Sequence, residues 1–279
     1  MGLYLRPTEI EEAVAALAAR PLTILAGGTD FYPARVGKPL ADDILDVTAL
    51  AALRGIAEED GAFRIGALLR WSELLAADLP QWFACLKLAA REIGGMQIQN
   101  AGTLAGNICN ASPAADGVPA LLALDAAIEV VSANGKRLLP LTDFVLGNRR
   151  TALARDELVT AIVVPKSRGG ARSTFLKLGA RRYLVISIVM VAALIETAPD
   201  RTIIGARVAV GACSAVAKRL AQLERTLNGR KLTPGIGALV AAEHLAELTP
   251  IDDVRAAAAY RGDAALALVA RSLEQLAAS

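Results

Sequence analysis

Two short glycine-bearing stretches carry the residue types most suited to chemistry in this 279-residue chain, Leu25-Ala26-Gly27-Gly28-Thr29-Asp30 and Thr103-Leu104-Ala105-Gly106-Asn107. A pyrophosphate needs several donors converging on it, and a chain supplies them by turning tightly with its backbone N–H groups inward, which favours residues without bulk at Cβ. An ordinary glycine turn is the alternative for each stretch, because glycine is the default wherever φ must be positive. Neither G-x-x-x-x-G-K-[ST] nor G-x-G-x-x-G occurs, so a phosphate site here is of another kind. Side-chain chemistry is sparse. One histidine, His244, and three scattered cysteines, Cys85, Cys109 and Cys213, form no zinc or iron–sulfur spacing, and no G-x-S-x-G or H-E-x-x-H is present. An enzyme with this inventory needs a bound organic cofactor.

The elements around the two stretches read as α/β. Thr8-Glu9-Ile10-Glu11 predicts a capping box opening a helix that runs to Arg20 and stops at Pro21. Leu22 to Ala26 is a short strand breaking at Gly27-Gly28, and Asp43 to Val47 is a second. A hairpin around Asp60-Gly61 follows, then a helix through Trp82, Cys85, Leu86 and Ala89 ending at Gly94-Gly95. Met96 to Gly117 holds so many turn formers that it predicts an ordered loop or a series of tight turns. Strands at Ala127 to Val131 and Leu158 to Val164 precede Lys166 to Gly170, the expected domain boundary. Beyond it the pattern predicts strands at 173–178, 185–195 and 203–210, then helices at about 217–227, 236–248 and 252–276.

Composition narrows the partners. Lys+Arg 30 against Asp+Glu 28 leaves a net charge of +2, and 4% aromatic residues offer little for base stacking, so nucleic acid is not expected. Hydrophobic residues make up 54%, but the richest uncharged run, Tyr183 to Ile195, falls short of the ~18–20 residues that span a bilayer. No membrane span is expected. The opening MGLYLRPTEIEE places acids where a signal peptide needs its apolar core, and the expected compartment is cytoplasmic.

The ordered motifs LAGGTDFYP (25–33), IQNAGTLAGNICNASPAAD (98–116), ELVTAIVVP (157–165), FLKLGARR (175–182) and DDVRAAAAYRGDAALALVARSLEQL (252–276) resemble the flavin-binding medium subunit of the molybdenum hydroxylases. That family includes carbon monoxide dehydrogenase, 4-hydroxybenzoyl-CoA reductase and the flavin domain of xanthine dehydrogenase. The resemblance spans nearly the whole chain. It implies an α+β fold: a PCMH or vanillyl-alcohol-oxidase type FAD-binding domain of two α/β lobes over residues 1–168, followed by a small α+β C-terminal domain over 171–279.

By the same resemblance, FAD contacts fall on Ile24, Leu25, Ala26, Gly27, Gly28, Thr29, Asp30 and Phe31, and on Thr103, Leu104, Ala105, Gly106 and Asn107. Ile93, Asp116, Val159 and Lys177 complete the set. Ala105 stands where the family's T-[IV]-G-G-N motif has its first glycine, and Val185-Ile186 stands where the family often has an acidic residue near the flavin ring. Without the resemblance, Asp116 reads as a helix cap and Lys177 as a solvated strand charge. The implied function is electron transfer by FAD. A large partner subunit would hold molybdopterin and a small one two [2Fe–2S] clusters, in a dimer of heterotrimers, with NAD⁺, O₂, a quinone or another carrier as acceptor. A stand-alone flavin oxidoreductase and a cofactor-free assembly scaffold are the alternatives.

Overall fold

The computed structural model describes residues 2–37 and 41–278. The first lobe is a small parallel sheet in the order β1-β3-β2, made of Tyr4–Leu5 (β1), Thr23–Leu25 (β2) and Ile44–Asp46 (β3). Ile10–Ala19 (α1) lays Ala13, Val14 and Leu17 on it, against Leu45, Val47, Leu50 and Leu53. The expected capping box does not form, because the helix begins one residue late, at Ile10. Glu9 is the N-cap without a side-chain bond, and the Thr8 N–H instead donates to Glu12 Oε2 at 3.3 Å.

The second lobe is an antiparallel sheet in the order β4-β5-β10-β6-β7. Its strands are Ile56–Glu59 (β4), Ala62–Gly66 (β5), Ala127–Ser132 (β6), Gly135–Pro140 (β7) and, at the centre, Leu158–Pro165 (β10); Val145–Gly147 (β8) and Arg150–Thr151 (β9) form a separate ribbon. Six short helices pack in this lobe: Trp71–Ala76 (α2), Ala84–Glu92 (α3), Met96–Ala101 (α4), Leu104–Cys109 (α5), Gly117–Ala123 (α6) and Leu141–Phe144 (α7). The stretch expected to be irregular, 96–117, therefore holds two helices. Thr103 acts there as an N-cap, its Oγ1 accepting the Gly106 N–H at 3.0 Å.

The third sheet, antiparallel β11-β12-β13-β14, comprises Arg172–Leu178 (β11), Val189–Thr197 (β12), Ile203–Gly211 (β13) and Lys218–Arg219 (β14). Alternation along β12 divides its side chains between two cores. Val189, Val191, Ala193 and Ile195 pack with residues of Ala221–Leu227 (α8) and Ala258–Ala278 (α9), whereas Met190, Ala192 and Leu194 join the core that includes α3 and α6. The C-terminal sheet thus shares a core with the second lobe.

Two expectations in this region are corrected. Residues 185–188 precede the strand, and 236–248 forms only two 3₁₀ turns, Ile236–Leu239 and Ala242–Leu245. Glu274 on α9 accepts the N–H groups of Gly235 (3.0 Å) and Gly237 (2.7 Å), and a Cβ at Gly237 would lie 2.7 Å from the Ala270 carbonyl oxygen. The segment keeps the internal bonds of its two 3₁₀ turns and is tied to α9 at its start.

At the middle of the second sheet, Thr160 is the extra residue of a bulge between β10 and β6. Its hydroxyl donates to buried Glu129 at 2.7 Å, and Arg64 (2.7 Å) and Lys136 (3.0 Å) donate to the same carboxylate. Burial alone would raise this carboxyl, but the three donors outweigh it and hold it at about 2 against an ordinary 4.5. A depressed folded-state value means that the stabilisation is complete above 4.5 and is lost as the pH falls through about 2. Glu129→Gln is therefore expected to flatten the acid limb of the stability profile, measured as the urea midpoint at a series of pH values. An unchanged acid limb would contradict this account.

Candidate functional site

A cavity of about 540 Å³ lies between the first and second lobes. The loop after β2 forms one side. Gly27 fits because a Cβ there would stand 2.0 Å from the carbonyl oxygen of Ala101, at the end of α4, so this glycine brings the two sequence loops together. Gly28 has φ +70°, and a Cβ there would meet the Tyr32 ring at 2.7 Å. Among the described residues, no protein acceptor receives the N–H groups of Gly27, Gly28 or Thr29. Backbone donors that protein leaves unpaired at a cavity wall are available to an anionic ligand.

Ile24, Ala26, Gly27, Gly28, Thr29, Asp30, Phe31, Ile93, Thr103, Ala105, Gly106, Asn107 and Val159 all line this one cavity. Leu25 and Leu104, from the same two stretches, are buried and are not part of the lining. Ala105 is in the wall, 4% exposed. Gly106 sits so close to the capping hydroxyl that a Cβ would be 2.7 Å from Thr103 Oγ1.

Asp116 and Lys177 stand off the cavity and face each other. Lys177 Nζ is 2.7 Å from Asp116 Oδ2 and donates to the Glu92 carbonyl at 3.2 Å; Ser187 Oγ donates to Asp116 Oδ1 at 2.6 Å. Burial pushes the Asp116 carboxyl above its ordinary value, and the Lys177 ammonium and Ser187 hydroxyl pull it down. Asp116 immediately precedes α6, yet its side chain caps nothing.

Several wall residues gave no signal in the sequence. Trp71 and Ile98 join Ile93 in the lining, and Leu22, Val47, Leu53, Leu68 and Leu158 extend it with apolar surface. Arg35 stacks on Phe31, its guanidinium 3.9 Å from the ring centroid, while bonding Asp42 at 2.8 and 3.3 Å. The Phe31–Arg35 spacing of four was the one readable hint. Arg149 and Arg155 line the cavity with no ion partner among the described residues, whereas Glu157 is held by Arg137 at 2.6 and 2.7 Å, which keeps its carboxyl below the ordinary range.

Unpaired N–H groups at a glycine turn, two spare guanidiniums and extended apolar walls are the features that a site for a dinucleotide-type cofactor requires. Residues 1–167 match the family described as FAD binding domain in molybdopterin dehydrogenase, and residues 174–276 match the CO dehydrogenase flavoprotein C-terminal domain. The chain belongs to this family and is an FAD-dependent oxidoreductase subunit of the xanthine and carbon monoxide dehydrogenase type.

It is 35% identical over 196 residues to the nicotinate dehydrogenase FAD-subunit of Eubacterium barkeri, covering 67% of this chain and 66% of that one. To the glyceraldehyde dehydrogenase medium chain of Sulfolobus acidocaldarius it is 31% identical over 98% of both chains. The structure superposes with a TM-score of 0.86 on carbon monoxide dehydrogenase from Hydrogenophaga pseudoflava, a form lacking the Mo-pyranopterin moiety, at 29% identity over 98% of this chain and 96% of that one. Among the described residues no helix is long and apolar enough to cross a membrane.

Cys109 also lines the cavity, whereas Cys85 and Cys213 are fully buried, and burial pushes the Cys109 thiol up to about 12. Its alkylation at pH 9 is expected to be slow in the FAD-free chain and at least tenfold slower with FAD bound, since the thiolate is the reactive form and FAD seated in this cavity would cover it. Mass spectrometry of the labelled peptide reads this directly. Equal rates would place FAD away from this wall.

Proposed function

We propose that this chain is the electron-transfer subunit of a multi-subunit molybdenum hydroxylase, taking electrons from the [2Fe–2S] clusters of a small partner subunit and delivering them to an external acceptor. The observation that carries the reading is the run of unpaired N–H groups at Gly27, Gly28 and Thr29, residues that line the same cavity as Thr103, Gly106 and Asn107. FAD, when bound, accepts electrons singly and gives them up in pairs, which suits a junction between one-electron clusters and a two-electron acceptor. The protein's part is to hold it. The two loops would bind the pyrophosphate, Arg149 and Arg155 would offset its charge, and Ile24, Ile93 and Val159 would exclude water from the rings.

Asp116 and Lys177 complete the assignment as a charged pair behind the Ile93 wall. The large molybdopterin subunit would bear the substrate, within a dimer of heterotrimers in the cytoplasm. The chain divides, in this reading, into an FAD domain over 1–168 and a C-terminal domain over 171–279. The test uses the complex isolated with its partner subunits. A variant of this chain without FAD should still let substrate bleach the iron–sulfur absorbance while transfer to the acceptor is lost. Undiminished acceptor reduction without FAD would refute the assignment.

A further inference from the structure

Helix α6 contributes no side chain to the cavity, yet the C-terminal domain grips it at both ends. Its seven residues are all buried. At the leading end, Lys177 and Ser187 hold the Asp116 carboxylate. At the trailing end, Arg207 Nε donates to the Ala123 carbonyl at 3.1 Å and Arg219 Nη1 to that of Leu122 at 3.3 Å. Asp125 takes both guanidiniums, at 2.9 and 2.5 Å, from a backbone with φ +51°. Among the described residues, no other element of the second lobe is fixed this way by charged groups from β11, β13 and β14 together.

Between the two grips, α6 bears on the cavity wall from behind. The Gly117 N–H donates to Asn107 Oδ1 at 3.3 Å. A Cβ on Gly117 would lie 2.8 Å from that oxygen and 2.9 Å from Trp71 Cη2, and both Asn107 and Trp71 line the cavity. A rigid, close-packed helix transmits displacement to such neighbours instead of absorbing it. We propose that α6 is a positioning helix through which the C-terminal domain sets the wall of the FAD cavity, with Gly117 as the point of contact and Asp125 as the clamp. This rests on the reading of the cavity as the FAD site. It makes FAD affinity depend on residues that touch no cofactor, and by reciprocity FAD binding tightens the grip of the C-terminal domain.

The test compares two variants of the full chain with the parent. Gly117→Ala adds one methyl at a helical position, where alanine is otherwise the better helix former. It should weaken FAD binding at least tenfold in a titration and shift Trp71 emission, read in a Trp82→Phe background. Asp125→Asn keeps the size of the side chain and suits the left-handed backbone while removing the charge held by Arg207 and Arg219. It should weaken FAD binding severalfold and speed Cys109 alkylation in the FAD-free form. Leu273→Val, in the α9 core, serves as a control that lowers stability without touching α6; it should retain parental affinity. Parental affinity in Asp125→Asn, or a loss in Leu273→Val equal to that in Asp125→Asn, would overturn the proposal. Failure of FAD to protect Cys109 in the parent would instead overturn the reading of the cavity.

Discussion

Gly28→Asp is expected to empty the chain of FAD under conditions where Gly28→Asn still retains a measurable share. Both replacements meet the same two obstacles. The backbone at φ +70° is one that Asn and Asp adopt more readily than other side chains, and the new Cβ approaches the Tyr32 ring, which is 58% exposed and free to swing outward. Bulk and strain are therefore shared. What separates the two is a negative charge beside the unpaired N–H groups that, in the proposed reading, would hold the pyrophosphate. Two charges a few ångströms apart near a protein surface repel by about 2–4 kcal/mol, roughly 30- to 1,000-fold in affinity. Flavin absorbance after gel filtration and a titration of the FAD-free variants measure the difference, and urea midpoints check that both fold alike. Equal affinity for the Asp and Asn variants would mean that this loop does not face the phosphates.

Gly27 would be a poorer probe of the same site. Any side chain there meets backbone, the Ala101 carbonyl at 2.0 Å, which has no rotamer to escape into, so loss of FAD could not be separated from separation of the two lobes.

The legibility of these features from sequence followed the range of the forces behind them. The first glycine turn was readable because strand, glycine pair and following loop are consecutive, and the structure places Ala26 to Phe31 together in one wall. The second stretch was misread as irregular because threonine, asparagine and glycine favour turns and helix caps alike. The Thr103 hydroxyl accepting the Gly106 N–H, with the Asn107 and Asn110 N–H groups donating to the Thr103 and Gly106 carbonyls, marks the helix. The 236–248 region failed for a tertiary reason, since its start is fitted against α9, where Glu274 accepts the Gly235 and Gly237 N–H groups and the Ala270 carbonyl lies within 2.7 Å of a Cβ at Gly237, and both residues lie far along the chain. Trp71 carried no mark of its position, because a buried tryptophan on a short helix looks the same whether its ring meets core or cavity. The partnership of Lys177 with Asp116 spans 61 residues, and no local pattern announces it.

That partnership governs the second large effect. Lys177→Met leaves the Asp116 carboxylate buried with only the Ser187 hydroxyl to solvate it, and breaking a buried pair from one side costs about 3–5 kcal/mol. Lys177→Met combined with Asp116→Asn removes both charges while keeping an acceptor for Ser187, so the double variant should recover most of the loss. The pH dependence has a definite sign. Without the ammonium, burial drives the Asp116 carboxyl further above its unfolded value, and a raised value gives stability that is present at low pH and lost as pH rises through the folded-state value. The deficit of the single variant should therefore be largest near pH 8 and shrink toward pH 4, while that of the double variant stays flat; urea midpoints across this range read both. The potential of bound FAD follows the same arithmetic of charge. Lys177 and Asp116 sum to zero, as do Met and Asn, whereas Met beside an ionised Asp116 leaves one negative charge that opposes reduction. The single variant should titrate some tens of millivolts lower, with ~30 mV equivalent to about 1.4 kcal/mol for a two-electron couple, and the double variant near the parent. Potentials that fall equally in both would show Lys177 acting on FAD independently of its partner.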